Sequence, residues 1–157
     1  DGAAKLRDLI DALESTYCGS IGAEYMHIVD AREQLWVQQR LESARGKPQF
    51  DADLKQRILE RLIAAEGLEK YLHRRYPGTK RFGLEGGESL IPMLHELLQR
   101  LGTHGIRESV IAMAHRGRLN VLVNVLGKNP GELFDEFDGR VQSESGSGDV
   151  KYHQGFS

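Results

Sequence analysis

His115, Arg116 and Arg118 stand together in the stretch "MAHRGRLNVLVNVLG", Met113 to Gly127. Arginine offers a planar, permanently charged fork suited to carboxylate or phosphate. Histidine donates to a developing oxyanion or moves a proton near neutral pH. Gly117, between the two arginines, lets backbone approach a bound group closely. The four residues together read as an anion and oxyanion site. On spacing alone, a solvated turn or arginines paired with carboxylates at the edge of the core account for them equally well.

A second cluster, "GSGDVKYHQGF", sets Asp149, Lys151, Tyr152 and His153 behind glycines. That composition suits a loop that orders over a ligand, and it equally suits a mobile surface segment. His27, His73, His95 and His104 are scattered along the chain. No pair of histidines has metal-ligand spacing with cysteine or carboxylate, so no metal site is expected.

These groups need elements to hold them. Leu6, Leu9, Ile10 and Leu13 predict an amphipathic helix ending before Gly19, and Tyr17 to Asp30 reads as a loop. Leu35, Trp36, Val37 and Leu41 predict a second helix, ended by Ala44 to Pro48. Asp51 or Asp53 caps a third, striped by Leu54, Ile58 and Leu62, with Gly67 a point of break or bend before Leu68, Tyr71 and Leu72. Tyr76 to Gly87 carries too many glycines for a regular element. Leu90, Leu94, Leu97, Leu98 and Leu101 share a helix face, with Pro92 in the first turn.

"ESVIAMAH", Glu108 to His115, is short, apolar and β-branched, and predicts a buried strand of a parallel sheet. His115 to Arg118 then fall where the strand gives way to a helix striped by Leu119, Leu122, Val123 and Leu126, and ligands of open α/β sheets bind at such junctions. Asn129, Pro130 and Glu132 start a short helix through Phe134 and Phe137. Beyond Gly139 the chain turns polar, and Ser143 to Asp149 reads as flexible.

The chain has 157 residues, enough for one core with an appended helical layer. Its 21 basic and 23 acidic residues give a net charge of -2, so no nucleic-acid partner is expected and any anion site must be local. No apolar run has membrane-spanning length, and no membrane partner is expected. Cys18, the lone cysteine, makes no internal disulfide and suits a reducing compartment. A start without Met and an end at "HQGFS" lead us to expect a piece of a longer protein.

Five blocks, "YCGSIGAEYMHI", "RFGLEGGESLIPML", "MAHRGRLNVLVNVLGK", "LFDEF" and "SGDVKYHQGF", closely resemble, in order and spacing, the thiamine-diphosphate-dependent dehydrogenase component of 2-oxoglutarate dehydrogenase complexes. The resemblance runs from near residue 15 to the last residue. It implies an α/β fold: a helical lead-in over residues 1–75, followed over residues 76–157 by the first strand or strands of a transketolase-like parallel sheet that binds thiamine diphosphate. It also implies oxidative decarboxylation of 2-oxoglutarate within the tricarboxylic acid cycle. The succinyl group passes to a lipoyl arm of a dihydrolipoyl succinyltransferase partner, and the enzyme is a homodimer in the bacterial cytoplasm or the mitochondrial matrix.

Residue by residue, the resemblance places His115 and His153 beside the substrate as catalytic and substrate-binding groups, and Arg118 on the cofactor. Arg116 shapes the site; Arg81 and Glu85 lie in an entrance loop without an assigned role. Magnesium would be held by a Gly-Asp-Gly or Gly-Asp-Ala block with an Asn about 30 residues on. Asp149 is followed by only eight residues, so those ligands fall outside this chain, and these 157 residues alone are expected neither to bind the cofactor tightly nor to turn over substrate. A 2-oxoadipate-specific paralogue shares many of these blocks, and a helical partner-docking module is the alternative from another class.

Overall fold

The computed structural model describes residues 5–140. The chain divides into two compact units, Asp1–Asp51 and Ala52–Ser157. Among the described residues there are six helices and no strand, and no helix is long and apolar enough to cross a membrane.

The first unit is a helix pair, α1 (Leu6–Tyr17) and α2 (Ala31–Ala44). The Asp30 side chain starts α2 by accepting from the backbone N–H groups of Arg32 at 2.8 Å and Glu33 at 3.3 Å, which satisfies donors a helix start leaves open. Tyr17 ties the two helices: its hydroxyl donates to Glu42 at 2.8 Å and lies 3.2 Å from the hydroxyl of Tyr25. After α2 the chain turns through Arg45 and Gly46, both at positive φ. A Cβ at Gly46 would stand 2.7 Å from the Ser15 carbonyl, so α1 approaches at the one residue type that admits it.

The second unit is organised on α3 (Ala52–Arg75), a single helix of 24 residues that packs against α4 (Leu90–Thr103) and α5 (Arg118–Asn124); α6 (Pro130–Phe137) follows. The helix runs through Gly67 without a break. A glycine costs a helix interior only about 1 kcal/mol, and Ala65, Leu68 and Leu72 are buried on either side of it. That burial outweighs the glycine.

Ala65, Leu84, Ile91 and Val121 form one core cluster, with Leu94 and Met113 against it; Leu119, Leu122, Leu133 and Phe137 form another. Asn129 caps α6 as expected, accepting from Gly131 N–H at 2.8 Å, with Pro130 opening the helix. α5 ends at Asn124 rather than running to Leu126, because the Leu126 and Lys128 N–H groups turn back onto the carbonyls of Val121 and Leu122.

The strand expected over Glu108 to His115 is not formed among the described residues. Ile106 to Ala114 carry no regular element, and Val110 is 97% exposed. A parallel strand exists only through hydrogen bonds to neighbouring strands, and the described residues supply no neighbour. The helical lead-in agrees with the structure; among the described residues no sheet is formed.

Candidate functional site

The turn His115 to Gly117 is closed by the Arg118 N–H donating to the His115 carbonyl at 3.0 Å, and α5 begins directly behind it. Gly117 sits at φ +73, where an L side chain is strained. A Cβ there would collide with Leu84 Cδ1 and lie 3.3 Å from its Cγ. Backbone freedom and close approach both require glycine at this point.

The loop between α3 and α4 reaches the same turn. The Gly117 N–H donates to the Phe82 carbonyl at 2.8 Å. The Phe82 ring packs on the His115 imidazole, centroids 4.9 Å apart and planes 31° apart, and the Lys80 ammonium lies 4.9 Å from the Phe82 ring centre. Phe82 itself has φ +49, a left-handed conformation rare for a bulky residue. Loop and turn thus hold each other at a backbone hydrogen bond and an aromatic contact.

The arginines divide between the two segments. Arg116 Nη2 donates to the Glu85 carbonyl at 2.7 Å, and Arg118 Nη2 donates to the Met113 carbonyl. Arg81 faces two carboxylates: Glu69 at 3.6 Å and Glu85, to which its Nη2 donates. Backbone N–H groups, its own and that of Gly86 at 2.9 Å, hold the Glu88 carboxyl below its ordinary range, and the nearby Arg116 charge adds to this.

Beneath the turn is a buried polar group. Glu69 on α3 is 4% exposed and Asn120 on α5 is fully buried. Asn120 Nδ2 donates to the Ala65 carbonyl at 2.9 Å and to Glu69 Oε1 at 3.0 Å, while Asn124 Nδ2 donates to Asn120 Oδ1 at 2.7 Å. Spacing alone does not single out Glu69 or Asn120 as special. The available signal was a carboxylate four residues after Ala65 in a leucine stripe, and an amide between Leu119 and Val121.

Of the expected site residues, His115, Arg116 and Arg118 share the turn, and Arg81 and Glu85 lie on the loop against it. His153 falls outside the described residues, as do Asp149, Lys151, Tyr152 and the stretch Ser143 to Asp149. Among the described residues no group of three or more His, Cys, Asp or Glu is placed to hold a metal ion. His104 closes α4, its Nδ1 2.8 Å from the Arg100 carbonyl. The donors of the turn are engaged within the chain: Gly117 N–H on the Phe82 carbonyl, Arg118 N–H on the His115 carbonyl, and the Arg116 and Arg118 guanidiniums on the Glu85 and Met113 carbonyls.

No family model matches the chain. It is 64% identical over 154 residues to a 2-oxoglutarate dehydrogenase E1 component of Azotobacter vinelandii, an overlap covering 98% of this chain and 16% of that protein. It is 56% identical over 152 residues to the protein of the same name in Cupriavidus necator, covering 97% and 16%. With the one in Haemophilus influenzae it shares 51% over 153 residues, covering 98% and 16%. The chain therefore spans about a sixth of the length of these relatives.

Proposed function

We infer, from a chain related over nearly its whole length to 2-oxoglutarate dehydrogenase E1 components, that it builds one wall of the active site of such an enzyme. The parent protein would carry out oxidative decarboxylation of 2-oxoglutarate and pass the succinyl group to a lipoyl arm of an acyltransferase partner. It would act as a homodimer in the bacterial cytoplasm. Supporting this most directly is the 64% identity over 154 residues, an alignment that takes in 98% of the chain.

Thiamine diphosphate, when bound, supplies the carbanion that adds to the 2-oxo carbon. Arg118, whose guanidinium here rests on the Met113 carbonyl, would hold the anionic end of that cofactor in the parent; magnesium ligands would come from the rest of the parent. His115, oriented by the Phe82 ring at 4.9 Å, would donate to the oxyanion that develops on the substrate. His153 would take a substrate carboxylate. Val110, bare to solvent here, supports a role for Glu108 to His115 as a strand once neighbouring strands are present, in a cofactor domain that starts near residue 76.

The test is His115→Ala in the full-length enzyme, assayed on 2-oxoglutarate and 2-oxoadipate. Removing one oxyanion donor should lower kcat about 100- to 1000-fold, with 2-oxoglutarate the better substrate of the unsubstituted enzyme. Unchanged turnover would remove His115 from the chemistry, and a preference for 2-oxoadipate would reassign the substrate.

A second reading has one observation in its favour. Leu6, Leu9 and Leu13 on α1, and Leu59 and Ile63 on α3, are exposed apolar side chains at helical spacing. They suit docking of a partner subunit. Capture of the acyltransferase by residues 1–75 alone would support it, and no capture would remove it.

A further inference from the structure

We propose that Glu69 is a positioning residue for the His115 turn, holding both segments that form it; this rests on the function proposed above. Glu69 reaches the turn through its partners. Its two oxygens reach different segments. Oε1 accepts from Asn120, three residues after Gly117 on α5. Oε2 lies 3.6 Å from Nε of Arg81, whose neighbour Phe82 accepts the Gly117 hydrogen bond and packs on His115.

The geometry separates this from ordinary packing. Glu69 Oε2 and Arg81 Nε are buried and neither has a hydrogen-bond partner, so the ion pair is their mutual compensation. The side chains of Arg81 and Glu69 are 13% and 5% exposed, and such a pair is weak evidence of stability because desolvation offsets much of the attraction. In some proteins a buried charge pair fixes the register between the elements it joins, and that is the role proposed for this one. Here the elements are α3, the loop at Arg81 and Phe82, and α5. Gly83 belongs to the same device: a Cβ there would lie 2.7 Å from Glu69 Oε2 and collide with the Glu85 carboxylate. A loop residue with a side chain could not pass over Glu69 at this height.

Glu69→Gln keeps the size of the side chain and an oxygen for Asn120, while setting a neutral amide against Arg81. In the full-length enzyme it should lower kcat about 10- to 100-fold, as expected when a reacting group is displaced by a fraction of an ångström to 1 Å, with KM changed less than kcat. Glu69→Asp, which keeps the charge, should restore part of the loss. The decisive readout is a double-mutant cycle with His115→Ala: a residue that acts through His115 has little left to affect once the imidazole is gone, so the two losses must not add.

Additive losses, or a Glu69→Gln enzyme with unchanged kcat, overturn the proposal while leaving the function intact if His115→Ala alone is slow. A normal His115→Ala enzyme overturns both. Should Glu69→Gln fail to fold, Arg81→Lys enters the same cycle, keeping a cation opposite Glu69 without the guanidinium Nε–H. The same non-additive loss is expected of it, and additivity there overturns the proposal equally.

Discussion

The backbone N–H of Gly117 donates to the Phe82 carbonyl at 2.8 Å, and both residues have positive φ. Glycine adopts such a backbone freely, whereas Phe82 is strained in it, and the hydrogen bond joins the two next to the imidazole that the proposed chemistry needs. Strain of this kind persists only where surrounding packing fixes it, and Leu84, 2% exposed, is that packing. Gly117→Ala should therefore destabilise the chain by about 2 to 5 kcal/mol, combining left-handed backbone strain with the collision against Leu84. Urea denaturation of the 157-residue chain measures it. A change within about 0.5 kcal/mol, the ordinary range for surface substitutions, would mean that neither effect holds the turn.

Asn129 accepts from Gly131 N–H at 2.8 Å at the start of α6. Asn129→Ala should cost about 1 kcal/mol, and Asn129→Asp should recover most of it, since a carboxylate caps as well and favours a helix start. Equal losses from both substitutions would show that the cap bond contributes little.

In the first unit Glu42 is held below the ordinary carboxylate range by hydrogen bonds from Gln38, at 2.9 Å, and then from Tyr17. The same contact, after that with Tyr25, raises the Tyr17 hydroxyl well above its usual value. Tyr17→Phe should move the Glu42 titration upward, and Gln38→Ala should move it further. Carboxyl chemical shifts followed through an acid titration read both. Identical midpoints in all three proteins would mean that these bonds do not persist in solution.

How much of this could be read beforehand differs from element to element. The leucines from Leu90 to Leu101 define α4, and Asn129 with Pro130 defines the start of α6, because stripe and cap are local signals. Grouping His115 with Arg116 and Arg118 needed only adjacency. The packing of Phe82 on His115 needed the return of the chain after α4, which no local pattern encodes. Glu69 and Asn120 stand 51 residues apart, and each looks like a polar interruption of an apolar stripe until the other is placed beside it. Glu108 to His115 has the composition of a strand, yet a strand is a relation between segments, and composition describes one segment only.

His95 on α4 tests the packing of the second unit by pH. Burial, first, and the charges of Arg61 and Arg57 lower its pKa below the ordinary 6.5, while Glu96 opposes them. The folded chain therefore disfavours the imidazolium relative to the unfolded chain. Above the unfolded pKa neither state is protonated there and His95 costs nothing. As pH falls below about 6.5 the unfolded state takes up a proton first, and stability declines until the folded imidazole also titrates. Unfolding free energy should thus drop between pH 7.5 and pH 5 more steeply in the native chain than in His95→Gln, whose amide cannot titrate. Parallel slopes would place His95 in solvent, away from the two arginines of α3.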